Sequence, residues 1–236
     1  MNIHIGDVIL GMVAFLFSLT FHEFAHAWTS SRFGDDTGRY QGRISLDPRD
    51  HLELWGSIIL PLIGFLTGGY MIGWAKPVEV NPNRWKNKVL ANIVVSGAGP
   101  FSNILLALLS ILVLKVFLLA GTVNILQLQS LFQSGQWTGN SDLLFGLIEP
   151  IFRLLRMMIL INILLAVFNM LPIPPLDGSH ILSSLLSVTN PKLMNAYEEI
   201  RPYGFMILLV TGLTGILGFI LTPMMSGVFR ALAAIL

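Results

Sequence analysis

The chain contains no cysteine, and this absence removes disulfides, thiolate metal ligands and cysteine nucleophiles together. His, Asp and Glu remain as the candidate catalytic chemistry. Charge is also scarce: Asp, Glu, Lys and Arg make up 11% of the 236 residues, against roughly 25% in an ordinary soluble domain. The 14 basic and 13 acidic side chains nearly cancel and form no dense basic tract, so nothing points to nucleic acid as a partner. No Lys or Arg precedes Arg32. The first apolar stretch therefore lacks the positive n-region of a cleavable signal, although Ala25-His26-Ala27 has the small-x-small look of a cleavage site.

What fills the chain instead is apolar. Hydrophobic residues account for 54% of it and the mean hydropathy is +0.73, which places it in a lipid bilayer. The basic loops order the spans. Arg32, Arg39, Arg43 and Arg49 lie between Ser31 and Glu53, and Lys76, Arg84, Lys86 and Lys88 lie between Lys76 and Lys88. Both loops are expected on the cytoplasmic side, with the N-terminus outside. The apolar segment between them, Leu54 to Trp74, contains Pro61 and several glycines; a single crossing would put one basic loop outside, so it is expected to re-enter or lie shallow. Val89 to Ala120 then crosses outward to an uncharged stretch from Gly121 to Ser141, and a returning span ends at Pro172. Phe205 to Leu236, broken by Pro223, is either one span with an interfacial tail or two short helices. Arg153 and Arg156, beside a span, are expected as interfacial anchors, and His4 and His51 as solvated or interfacial side chains. No internal repeat suggests an inverted-repeat transporter.

Against this background His22-Glu23-Phe24-Ala25-His26 stands near the end of the first apolar run. At about 3.6 residues per turn, histidines four apart share one helical face and can grip one zinc ion with the intervening Glu beside them. Ionisable residues inside a span are costly and usually mark function. A catalytic zinc site wants a third protein ligand and one position open to water. Asp177 is the best candidate, in Asn169-Met170-Leu171-Pro172-Ile173-Pro174-Pro175-Leu176-Asp177-Gly178, where the prolines stop the incoming helix and a new one restarts near the carboxylate. His180 is its rival. By the topology above, the histidines lie roughly 6 to 12 Å from the cytoplasmic end of their span, and Asp177 follows a span returning to that face. A third element, Ser96-Gly97-Ala98-Gly99-Pro100-Phe101-Ser102-Asn103, carries small residues that suit close helix packing and an amide in an apolar setting.

Together these residues resemble the site-2 proteases, zinc metalloproteases that cut substrates within the membrane. His22 to His26 is similar to the family's HExxH, Asn169 to Gly178 to its N-x-x-P-x-P-x-L-D-G element, and Gly99 to Asn103 to its G-P-x-x-N. Gly73-Trp74-Ala75-Lys76-Pro77-Val78 looks like the loop of compact bacterial members. The resemblance implies that His22, His26 and Asp177 hold one Zn2+ per chain and that Glu23 is the general base and acid. It implies that Asn103 and Asn169 help to position substrate or polarise its carbonyl. It also implies a transmembrane protein or membrane-anchored peptide as substrate, while the sequence departs from the larger members in lacking room for a PDZ domain between its core spans or a CBS domain at its C-terminus.

The expected protein is thus an all-α polytopic membrane protein, one metalloprotease domain over residues 1–236. It should have about four to six transmembrane helices and a re-entrant or short β element near the cytoplasmic face, toward which the active site opens. Arg43-Ile44-Ser45-Leu46 and Val78-Glu79-Val80-Asn81 alternate as short strands would, and an edge strand would hold an extended substrate. Two other functions compete: a metal-binding transporter or channel, which has no need of Glu23 beside the histidines, and a homologue that binds substrate without cutting it. Nothing in the sequence sets the oligomeric state.

Overall fold

A computed structural model describes residues 5–67, 73–134 and 143–235. From the N-terminus, α1 (Ile5–Arg32) leads through one turn, α2 (Thr37–Tyr40), to a short apolar helix wound first as a π-helix over Leu54–Ile59 and then as α3 (Leu60–Thr67). Next come α4 (Lys88–Leu119), α5 (Ile125–Ser134) and α6 (Leu143–Asn169). A proline-rich turn then leads into α7 (Asp177–Thr189), α8 (Pro191–Ile200), α9 (Gly204–Leu213) and α10 (Ile216–Ile235). His4 and the last part of the uncharged stretch before α6, from residue 135, lie outside the described residues.

Among the described residues, three helices are long and apolar enough to cross a bilayer: α1, α4 and the Ile148–Asn169 part of α6. At 1.5 Å per residue, even the 22 residues of the last rise about 33 Å, enough for a hydrocarbon core of about 30 Å. A fourth candidate is the pair Pro191–Leu213 and Ile216–Gly227, bent by 76° at the break between them. The count of three, or four with the bent pair, sits at or below the low end of the four to six expected, and Leu54 to Trp74 follows the expectation that it re-enters or lies shallow. The Trp74 amide donates to the Gly56 carbonyl (3.0 Å) and the Ser57 hydroxyl to the Trp74 carbonyl (2.8 Å), so both ends of the segment lie side by side. A chain that ends where it began has made an excursion and returned. Gly56 makes that closure possible, because a Cβ there would overlap the Trp74 indole.

The three spanning helices form one bundle, with α4 packed against both α1 and α6 and α1 also against α6. Their faces are sorted in the reverse of a soluble helix. α4 buries Ser96, Gly99, Asn103 and Ser110 and turns Ile104, Leu105, Leu108, Leu109 and Leu112 outward. α1 likewise buries Ser18, Thr20, His22 and Glu23 while exposing Ile5, Ile9, Val13 and Phe17. Small and polar residues let helices approach and bond each other, and large apolar ones face lipid. At one end of the bundle Arg153 on α6 reaches Asp7 on α1 (3.0 Å) and Glu149 one turn back (2.7 Å), so this expected interfacial anchor also ties two spans together.

No strand forms among the described residues, which corrects the expectation of a short β element. The amides that would have built a ladder are engaged by side chains and turns. The Val78 amide donates to Glu23 Oε2 (3.2 Å), the Asn81 amide to Asp35 Oδ2 (2.6 Å), and the Arg43 amide to the Gly38 carbonyl (2.8 Å). Arg43 then holds the loop as a buried cation, its guanidinium donating to the Asp50 and Pro77 carbonyls. His51 is buried rather than solvated, with Nε2 bonded to the Ser45 carbonyl at 2.8 Å.

Asp35 is the knot of this region. It is fully buried and accepts from Ser30 at the end of α1, from the Thr37 amide and hydroxyl, and from the Asn81 amide. Burial alone would push its carboxyl up, but these donors outweigh burial and hold it below the usual carboxylate range. A depressed folded-state pKa contributes stability that is fully present above the unfolded value of about 4 and is lost as pH falls through the folded value. Asp35→Asn should therefore lower stability near neutral pH by on the order of 2 kcal/mol and flatten the acid limb below about pH 4. Thermal melts of both proteins in detergent across pH check this; parallel acid limbs would assign the acid sensitivity elsewhere.

Candidate metal centre

His22 and His26 occupy one inward stripe of α1, one turn apart, with ring centroids 4.7 Å apart and nearly perpendicular. Asp177 meets them from the other end of the chain. Pro172, Pro174 and Pro175 end the run from α6, Leu176 is extended, and α7 restarts at Asp177, so the carboxylate leaves from a helix N-terminus, where partial positive charge favours an anion. Gly178 permits this turn, since a Cβ there would strike the Met170 carbonyl. Tyr197 on α8 braces the proline segment by donating from its hydroxyl to the Pro172 carbonyl at 3.0 Å.

The three side chains converge on one point. His22 Nε2 lies 3.2 Å from Asp177 Oδ2, His26 Nε2 lies 3.4 Å from Asp177 Oδ1, and the two Nε2 atoms are 3.1 Å apart. The far nitrogen of each ring is fixed. His26 Nδ1 lies 2.7 Å from the Val95 carbonyl, which can only accept. His22 Nδ1 lies 2.7 Å from Asn103 Oδ1, whose amide nitrogen in turn donates to the Ser18 carbonyl at 3.2 Å. Both Nδ1 atoms therefore carry the proton, and both Nε2 atoms present lone pairs to the centre.

Two lone pairs at 3.1 Å beside a carboxylate repel one another unless a cation lies among them. Asp177 Oδ2 is buried and receives no hydrogen bond. The spacings also match zinc: tetrahedral ligands with bonds of about 2.0–2.1 Å lie about 3.3–3.4 Å from one another. Gly99 leaves the room, because a Cβ at that position would fall against both imidazoles. Next to it, Pro100 has no N–H for the Ser96 carbonyl and loosens the α4 ladder where His26 borrows the carbonyl of Val95. His22, His26 and Asp177 thus fit a zinc ion, and among the described residues they are the group of such side chains close enough to share a metal. His180, the rival, stands outside that group; its carbonyl accepts from Asn92 at 3.3 Å.

Glu23 is buried beside the pair, with Oε2 accepting the Val78 amide at 3.2 Å. Asn103, expected near substrate, has both ends of its amide engaged inside the protein, by His22 on one side and Ser18 and Asn162 on the other. Asn169 ends α6, half-buried, and donates to the Leu165 carbonyl at 2.9 Å. Sequence reading missed Asn162. It belongs to no motif, but an amide in the middle of an apolar span is itself a signal, since such a group must face the bundle and find partners.

Metal retention tests the assignment of ligands. Asp177→Asn should weaken zinc binding far more than His180→Ala, by an order of magnitude or more, because it removes the anionic donor while nearly keeping its shape. Gly99→Ala should also lose zinc by displacing the rings. Zinc content after matched chelator challenge decides the order, and a greater loss from His180→Ala would move the ligand role to His180.

Comparison with known proteins bears on the same residues. The profile of peptidase family M50 matches residues 10–212, a stretch that holds all three residues of the centre. YwhC of Bacillus subtilis, which bears the name "Putative zinc metalloprotease", is 33% identical over 215 residues, 91% of this chain and 85% of the relative. Rip2 of Mycolicibacterium smegmatis, named in the same way, is 29% identical over 211 residues, 89% of this chain and 69% of its own. Rip2 of Mycobacterium tuberculosis H37Rv is 30% identical over 208 residues, 87% and 67% of the two chains. No solved structure matches. A family match over most of the length, relatives named for zinc, and a histidine–histidine–aspartate centre inside a bundle of apolar helices agree: the chain belongs to peptidase family M50, the site-2 proteases.

Proposed function

We propose that this chain is an endopeptidase that hydrolyses peptide bonds of membrane-embedded substrates, transmembrane proteins or membrane-anchored peptides, at a zinc centre open toward the cytoplasmic side. The observation that carries this reading is the pairing of three convergent ligand atoms with a buried carboxylate, Glu23, on the helix that carries two of them. A zinc ion held by His22, His26 and Asp177 would polarise the peptide carbonyl and lower the pKa of water to about 7.

Glu23 handles the protons. Its Oε2 is tethered by the Val78 amide, which leaves Oε1 free to take a proton from the attacking water as the new C–O bond forms. Glu23 then gives that proton to the leaving nitrogen as the C–N bond breaks. A helical substrate keeps its amides bonded internally and must unwind before a carbonyl can reach the centre. Asn169, at the end of α6, would contact such an unwound stretch in this reading, whereas Asn103 would act through the ligand His22.

Glu23→Gln separates base from ligand. It should keep about one zinc per chain and lose cleavage of a membrane-anchored peptide by at least two orders of magnitude in purified enzyme. Robust cleavage by this variant would defeat the mechanism, and a native chain that binds zinc and substrate without producing fragments would be a non-cleaving homologue.

Orientation is tested on the native chain, which has no cysteine of its own. Cysteines placed at Ser45, Asn83 and Ser134 are probed in intact cells with a membrane-impermeant thiol reagent. Only Ser134→Cys should label before permeabilisation. Labelling at Ser45 and Asn83 in place of Ser134 would put the centre on the outer side.

A further inference from the structure

Behind the metal ligands runs a second row of polar side chains, of which Asn103 touches the ligand His22. Ser18 on α1, Asn103 on α4 and Asn162 on α6 are each fully buried, one from each spanning helix. Asn162 Oδ1 accepts from Asn103 Nδ2 at 2.8 Å. Asn162 Nδ2 donates to the Ser18 hydroxyl (2.7 Å) and to the carbonyl of Met158 one turn back (2.8 Å). The Ser18 hydroxyl donates onward to the Ala14 carbonyl at 2.6 Å.

The direction of this chain is set at a backbone atom. A carbonyl can only accept, so Met158 requires the NH2 end of Asn162 and turns its oxygen toward Asn103. That oxygen requires the NH2 end of Asn103, and so turns the Asn103 oxygen toward His22 Nδ1. An oxygen there requires a proton on Nδ1 and so leaves Nε2 as the donor atom for a metal. His26 is fixed separately, by the Val95 carbonyl.

We propose that Asn162 is a positioning residue for His22, acting through Asn103 to hold the imidazole in its metal-binding orientation and tautomer. This rests on the zinc reading of the centre. The Ser18 carbonyl also reads the Asn103 amide, at the longer distance of 3.2 Å, so removal of Asn162 weakens the constraint without abolishing it.

The test uses the full chain in detergent, loaded with zinc and labelled with 15N-histidine. In Asn162→Leu the zinc dissociation constant should rise about tenfold, the lower end for groups that orient metal ligands. The Nδ1–H proton of His22 should exchange faster with water while that of His26 stays as it was. Asn162→Asp, whose neutral acid keeps an acceptor toward Asn103 and a donor toward Met158, should restore the His22 signal. An unmoved His22 proton in Asn162→Leu overturns the inference, and so does equal loss of both histidine signals, which would mean general loosening of the bundle. If Asn162→Leu does not fold, Asn162→Ala carries the same comparison. Failure of the unaltered chain to bind zinc would defeat the reading of the centre, whereas zinc binding with an unmoved His22 proton would defeat only this step.

Discussion

Polar groups removed from water must find partners within the protein, and in an apolar bundle each failure costs several kcal/mol. The arrangement of the three spanning helices follows from that constraint. α1, α4 and α6 each carry side chains that lipid cannot satisfy, so the faces bearing Ser18, His22, Asn103 and Asn162 turn toward one another. Leu105, Leu108, Leu109 and Leu112 face outward, while Leu19, Leu114 and Ile159 pack inside the bundle. The result is a polar seam running between apolar clusters, one around Phe15 and Ile161 and another around Leu114 and Phe152, and the metal centre is the end of that seam where it meets α7.

The same constraint explains the irregular segments. A helix broken at Pro172, Pro174 and Pro175 exposes carbonyls that must be answered, and the Tyr197 hydroxyl answers one of them. The excursion from Leu54 to Trp74 closes on itself through Gly56 and Ser57. The loop that follows attaches its amides to Asp35 and Glu23, and one acidic side chain of the site thereby also anchors the segment that lies over it.

Much of the centre was legible in the sequence because its residues obey local rules. The i, i+4 spacing of His22 and His26 is a statement about one helix, and the prolines before Asp177 announce a restart whatever lies around them. The bundle of apolar helices was equally plain from hydropathy. What could not be read depended on pairing across the chain. The strand-like alternation at Val78 to Asn81 was real, but amides there met the carboxylates of Glu23 and Asp35 before they met another strand. The role of Asn103 toward His22 and the presence of Asn162 behind it required the register of α4 and α6 against α1, which periodicity within one helix does not set.

The two ends of the centre lie far apart along the chain, with the histidines on α1 and the aspartate opening α7. Neither half holds the ion's full shell, and the rings take their aim from α4 and, one step further, from α6. A chain inserted only as far as α1 has the histidines but neither the carboxylate nor the contacts that orient them. The metal centre is therefore complete only when the C-terminal half has docked, and a nascent chain packs its first helices in the membrane before it can hold an ion.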